Sequence, residues 1–69
     1  MAGKEVTNMI ITSDIAEKVI VKRAKKRMTK TELSELLNIS RQTLVKIEAG
    51  NYKAPKRIYQ TIMEWLIED

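Results

Sequence analysis

Between Ser40 and Gly50 the chain reads SRQTLVKIEAG, and five of these residues carry groups suited to reading another molecule. Arg41 offers a guanidinium fork, and the Gln42 carboxamide donates and accepts at once. Thr43 adds a hydroxyl, Lys46 an ammonium and Val45 a branched apolar surface. On a helix, Leu44 and Ile47 would form the inward stripe. Arg41, Gln42, Val45 and Lys46 then point away, with Thr43 between the two faces. One surface that this set fits is the edge of a base pair in a major groove. A guanidinium bonds guanine O6 and N7, a carboxamide bonds adenine N6 and N7, and a methyl packs on thymine. An exposed polar helix face is most often only solvated, so the neighbouring residues must decide.

Those neighbours are residues 29–50, TKTELSELLNISRQTLVKIEAG. Thr29 precedes Glu32 by the spacing of a capping box. Leu33, Leu36 and Leu37 recur at i, i+3 and i+4, which predicts one apolar helix face. Asn38 tolerates the left-handed conformation that ends a helix, and Ser40 caps the next one. Gly50 supplies a stop. Two helices this short, joined by so few residues, form a helix-turn-helix.

The stretch resembles the helix-turn-helix of the Cro and phage-repressor type, the XRE family. The family pattern runs roughly Thr-x-x-Glu-Leu-Ala, then Ser-x-x-Thr-Ile-x-x-Ile-Glu-x-Gly. This chain has Thr29, Glu32 and Leu33, then Ser40, Thr43, Leu44, Ile47, Glu48 and Gly50. The resemblance implies an all-α fold: a small four-helix, or five-helix, lambda-repressor-like bundle. Residues 13–69 would form the domain and residues 1–12 a loose N-terminal arm. The alternative for the arm is a short strand, one that could pair with another chain. By the same resemblance Gln42 and Lys46 match base-reading positions, and Arg41 stands where base or phosphate contact is usual. The resemblance also pairs Arg23 of the first helix with Glu48 in a structural ion pair. A partly buried Glu48 would need such a cation. Arg27 stands where the family often has Gly, which calls a glycine C-cap into question and predicts a blunter corner after the first helix.

Phosphate contacts are expected from helix starts and loops. Thr29 and Lys30 open one helix and Ser40 the next; Asn51, Tyr52 and Lys53 form a loop, and Lys56 and Arg57 begin the fourth helix. Exposed N–H groups at helix starts attract anions, and such contacts position a protein without reading sequence. Tyr52 reads equally as a packed loop aromatic.

The first helix is expected to be capped by Ser13 or Asp14 and to run to about Arg27, with Ile15 and Val19 inward and the Lys22 stem, Arg23 and Lys26 further along that face. Lys22, Arg23, Lys25, Lys26 and Arg27 crowd its end, where cations suit the helix dipole. A solvated surface and phosphate contact both fit this run. Ile20 and Val21 do not fit a single inward stripe. Pro55 suits the first turn of the fourth helix, and Ile58, Ile62, Trp65 and Leu66 give that helix its core stripe. Tyr59, Met63 and Ile67 lie on its other faces. Together with Ile20 and Val21 they form a candidate protein interface. The family commonly continues into a fifth helix; here the fourth is expected to run to the end of the chain.

Composition bounds the rest. Sixty-nine residues allow one domain with a small core. There is no Cys and no His, which removes disulfides, thiolate metal sites and the commonest general base. No paired-carboxylate site or phosphate-cradling glycine loop replaces them, so no catalysis, cofactor or metal is expected. The net charge of +4 suits a nucleic-acid partner, although many ordinary domains are as basic. No apolar run approaches a membrane span and no signal-peptide pattern appears. The expected setting is the cytoplasm of a bacterial host, at the nucleoid. Two functions follow. One is a Cro-like regulator, bound as a homodimer to a palindromic double-stranded DNA operator. The other is a modulator of the same fold, an antirepressor or antitoxin that complexes a repressor or another protein.

Overall fold

The computed structural model describes residues 8–68. In chain order they form strand β1 (Asn8–Ile11), helices α1 (Ser13–Lys25), α2 (Lys30–Leu37) and α3 (Arg41–Ala49), strand β2 (Tyr52–Pro55) and helix α4 (Lys56–Ile67). The fold is an all-α bundle whose four helices close over one core, with a short two-stranded ribbon at its side. The expectation of a loose arm at residues 1–7 lies outside the described residues.

The ribbon departs from what residue spacing suggests. β1 and β2 pair antiparallel, Ile11 opposite Tyr52 and Met9 opposite Ala54. The expected arm thus gives way at residues 8–11 to the alternative of a short strand, and that strand finds its partner in its own chain. The stretch 52–54, expected as loop, is the other strand. Strand side chains alternate between faces. Ile11 and Ala54 are therefore fully buried, while Ile10 is 45% exposed on the opposite face.

Each helix end has an identifiable cause. α1 is capped by Thr12, whose Oγ1 accepts from the Ile15 N–H at 3.3 Å. This corrects the assignment of the cap to Ser13 or Asp14. α1 stops at Lys25, short of Arg27, and closes in a Schellman motif. The Arg27 N–H donates to the Ala24 carbonyl and the Met28 N–H to the Arg23 carbonyl. Arg27 takes the left-handed position, φ +57°, so the corner is sharp even without glycine. A non-glycine residue there costs roughly 1–2 kcal/mol. α2 opens with a complete capping box. The Thr29 hydroxyl accepts from the Glu32 N–H at 3.0 Å, and the Glu32 carboxylate accepts from the Thr29 N–H at 2.8 Å. It closes through Asn38 at φ +59°, with the Ile39 N–H donating to the Ser34 carbonyl. Pro55 stands one position outside α4 as its N-cap, with φ −57° already suited to the turn.

The core comprises Ile11, Ala16, Val19, Leu33, Leu37, Leu44, Ile47, Ala54, Ile58, Ile62 and Trp65. Two expectations shift. On α2 the buried pair is Leu33 and Leu37, and Leu36 is 60% exposed. On α1 Ala16 and Val19 are buried while Ile15 packs at the core's margin. The buried stripe of α4 is Ile58, Ile62 and Trp65, with Leu66 half-buried beside it. Lys22 holds the far end of that helix. Its Nζ donates to the Trp65 and Glu68 carbonyls and lies 4.9 Å from the centroid of the Trp65 ring. A cation on the carbonyls of a helix C-terminus is favourable, and the ring face adds to it.

Candidate nucleic-acid interface

Helix α3 is fixed from three sides. At its start the Ser40 Oγ accepts from the Thr43 N–H at 3.0 Å and donates to the Thr43 hydroxyl at 2.8 Å. Along its length Leu44 and Ile47 are fully buried, each side chain contributing about 1.5–3 kcal/mol by leaving water. At its end Glu48 meets Arg23 of α1. The Arg23 Nε donates to one carboxylate oxygen at 2.8 Å and its Nη2 to the other at 3.1 Å. Nη1 of the same guanidinium donates to the Met28 carbonyl at 3.1 Å. Side-chain exposure is 18% for Arg23 and 5% for Glu48. The carboxylate is thus almost dry and its charge is matched in the bidentate geometry that Arg favours. One guanidinium ties together the end of α1, the turn into α2 and the last turn of α3.

What α3 leaves outside is the set Arg41, Gln42, Val45 and Lys46, all exposed, with Thr43 half-buried beside them. Val45 is 45% exposed among polar neighbours. The face is largely polar and lies on a helix anchored at both ends, and a major groove admits one helix.

The expected phosphate contacts divide. Thr29 and Ser40 are exposed at the starts of α2 and α3, and Lys30 is half-buried. Both hydroxyls are already bonded within their caps. Asn51, at φ +53°, is exposed just after α3. Lys53, Lys56 and Arg57 are exposed on β2 and the first turn of α4. Tyr52 stands apart, half-buried and packed against the core. Of the candidate protein-interface residues, Ile20, Val21 and Ile67 are exposed, whereas Met63 is half-buried and Tyr59 packs against the core.

Of the cationic run at the end of α1, the sequence sets Arg23 apart by its expected pair with Glu48 and carries the Lys22 stem, Arg23 and Lys26 along the core face. The structure divides the run: Lys22 and Arg23 are engaged inside the fold, and Lys25, Lys26 and Arg27 are exposed. The half-buried Lys22 stem follows Val19 as its spacing suggests, but Lys26, expected on the same face, is exposed, and what the Lys22 ammonium meets is not local. The carbonyls it meets lie more than forty residues away.

A capped helix pair, tight-turned and presenting one polar helix face, is a helix-turn-helix module. The helix-turn-helix family model matches residues 14–58, most of the chain. The chain therefore belongs to the helix-turn-helix family, of the Cro and repressor type, a family of DNA-binding regulators without enzymatic activity. No curated protein and no solved structure matches it. Among the described residues, no helix is long and apolar enough to cross a membrane.

Proposed function

We propose that the protein is a sequence-specific transcriptional regulator of Cro-like type that reads the major groove with α3. The observation that carries this reading is the exposed quartet Arg41, Gln42, Val45 and Lys46 on a helix held by Leu44, Ile47 and the Arg23–Glu48 pair. Rigid mounting matters because base readout tolerates little positional error. Arg41 and Gln42 supply bidentate contacts to guanine and adenine, and Val45 a contact for a thymine methyl. Thr29, Lys30, Ser40, Asn51, Lys53, Lys56 and Arg57 supply the sequence-independent contacts that fix register. A homodimer on a palindromic operator follows from the usual pairing of such modules, with half-sites about one helical turn apart.

The test is selection from a random duplex library, followed by titration of the selected and a scrambled duplex. A preference of ~10³ or more for the selected site is expected. Gln42→Ala should reduce that preference by about 1–3 kcal/mol at one base position. Equal binding of both duplexes by the wild type would overturn the proposal.

A second reading, a modulator that complexes a repressor or another protein, draws on Ile20, Val21 and Ile67, which are 38%, 43% and 79% exposed. Exposed apolar residues away from a polar reading face suit a protein contact. Unselective DNA binding combined with stable co-elution of a repressor would favour it.

A further inference from the structure

Three observations converge on the end of α1. Lys25, Lys26 and Arg27 are exposed, and among the described residues none forms an ion pair or a side-chain hydrogen bond. Arg27 holds a left-handed conformation that glycine adopts without strain; backbone bonds close the turn, and among the described residues the Arg27 side chain adds no hydrogen bond or ion pair to it. The turn that carries Arg27 is also held beside the reading helix. Arg23 bonds both Glu48 of α3 and the Met28 carbonyl, and Thr29 opens α2 next along the chain. A side chain kept where glycine would fit the turn, and bonded to nothing in the fold that is described, is where function is expected.

We propose that Lys25, Lys26 and Arg27 form a second backbone-binding flank, one that takes phosphates of duplex DNA beyond those reached from the starts of α2 and α4. This rests on the reading of α3 as the DNA-facing helix. The flank neutralises phosphates and releases their counterions, so it adds affinity and salt dependence but no sequence preference. Lys22 and Arg23 take no part, because their charges are engaged inside the fold.

The experiment is a salt titration of binding to a random-sequence duplex and to the selected duplex, for the wild type, Arg27→Gly, the double variant Lys25→Ala/Lys26→Ala, and Gln42→Ala. Thermal melts run alongside. Arg27→Gly is expected to melt at a higher temperature, since glycine fits the turn, yet to bind both duplexes more weakly. Its log–log salt slope should be shallower by about 0.9, and that of the double variant by about 1.8. Gln42→Ala should keep the wild-type slope and lose only preference. Gain of stability and loss of affinity in one variant separates a DNA contact from a purely structural arginine. Unchanged slopes and affinities in Arg27→Gly and in the double variant, with wild-type preference intact, would overturn the flank and leave α3 as the reader. A wild type that binds neither duplex would overturn both.

Discussion

Gly50 and Glu48 decide how α3 ends. Gly50 has φ +89° and ψ 164°, a region open in practice only to glycine. A Cβ added there would stand 3.3 Å from the Ser13 Cα. Gly50 thus lets the end of α3 approach the start of α1. Gly50→Ala should destabilise the fold by about 1–3 kcal/mol, read as a lower urea midpoint at unchanged m-value. A midpoint equal to the wild type would show that the turn relaxes freely. Glu48→Ala leaves the Arg23 guanidinium with the Met28 carbonyl but without its counter-charge. Hydrogen bonds to charged groups contribute about 1.5–3 kcal/mol, so a loss of roughly 2 kcal/mol is expected. Glu48→Gln keeps the shape and part of the bonding and should fall between the two. Indistinguishable melts for Glu48→Ala and the wild type would remove the pair from any account of how α3 is oriented.

At the scale of elements, the ribbon is the part that residue patterns reveal least. Ile11 is fully buried and Ile10 is 45% exposed. If β1 closes the core, Ile11→Ala should lose about 2–4 kcal/mol, while Ile10→Ser should stay within about 0.5 kcal/mol of the wild type. Equal, small effects at both positions would return β1 to the status of an arm. The helix-turn-helix was legible because its signals are local: the Thr29–Glu32 box, the αL tolerance of Asn38, the Ser40 cap and the Leu44–Ile47 stripe all act within a few residues. β1 was not legible because its partner lies some forty residues away and neither strand is long enough to show alternation. Leu36 misled for a related reason. Position i+3 lies on the flank of the face defined by Leu33 and Leu37, and only the packing of α2 on its neighbours, α3 above all, shows which edge of the stripe is covered. The capping of α1 by Thr12 turned on which of three adjacent polar residues takes extended backbone, here φ −73° and ψ 169°, a choice made once β1 fixes the approach. The outward-facing side chains of α3 followed from its inward pair, so the exposed face proposed to read bases was legible as geometry. The partition of the cations at the end of α1 was legible only in part: the Arg23–Glu48 pair was expected, whereas the carbonyls that hold Lys22 lie at the end of α4, beyond the reach of local pattern.

For the molecule as a whole, the net charge of +4 acts on folding and on binding with opposite signs. Lys25, Lys26, Arg27, Lys53, Lys56 and Arg57 are all exposed, and holding them together in a compact state incurs repulsion. Salt screens exposed charges but reaches the nearly dry Arg23–Glu48 pair much less. The free protein should therefore melt a few degrees higher as sodium chloride rises from low to moderate concentration. DNA reverses the trend. A duplex present at a hundred times its dissociation constant at low salt stabilises the fold by about 2.7 kcal/mol. With several phosphates engaged, affinity falls by ~10³ or more over a fourfold rise in salt, so that contribution vanishes. Melting temperature against salt should then slope upward without DNA and downward with it, the curves meeting at high salt. Parallel upward curves would mean that the exposed cations serve solubility alone, and the protein-binding reading would take precedence. Crossing or converging curves for the wild type, with Arg27→Gly starting higher without DNA and gaining less from it, would place both the reading helix and its basic flank on the duplex.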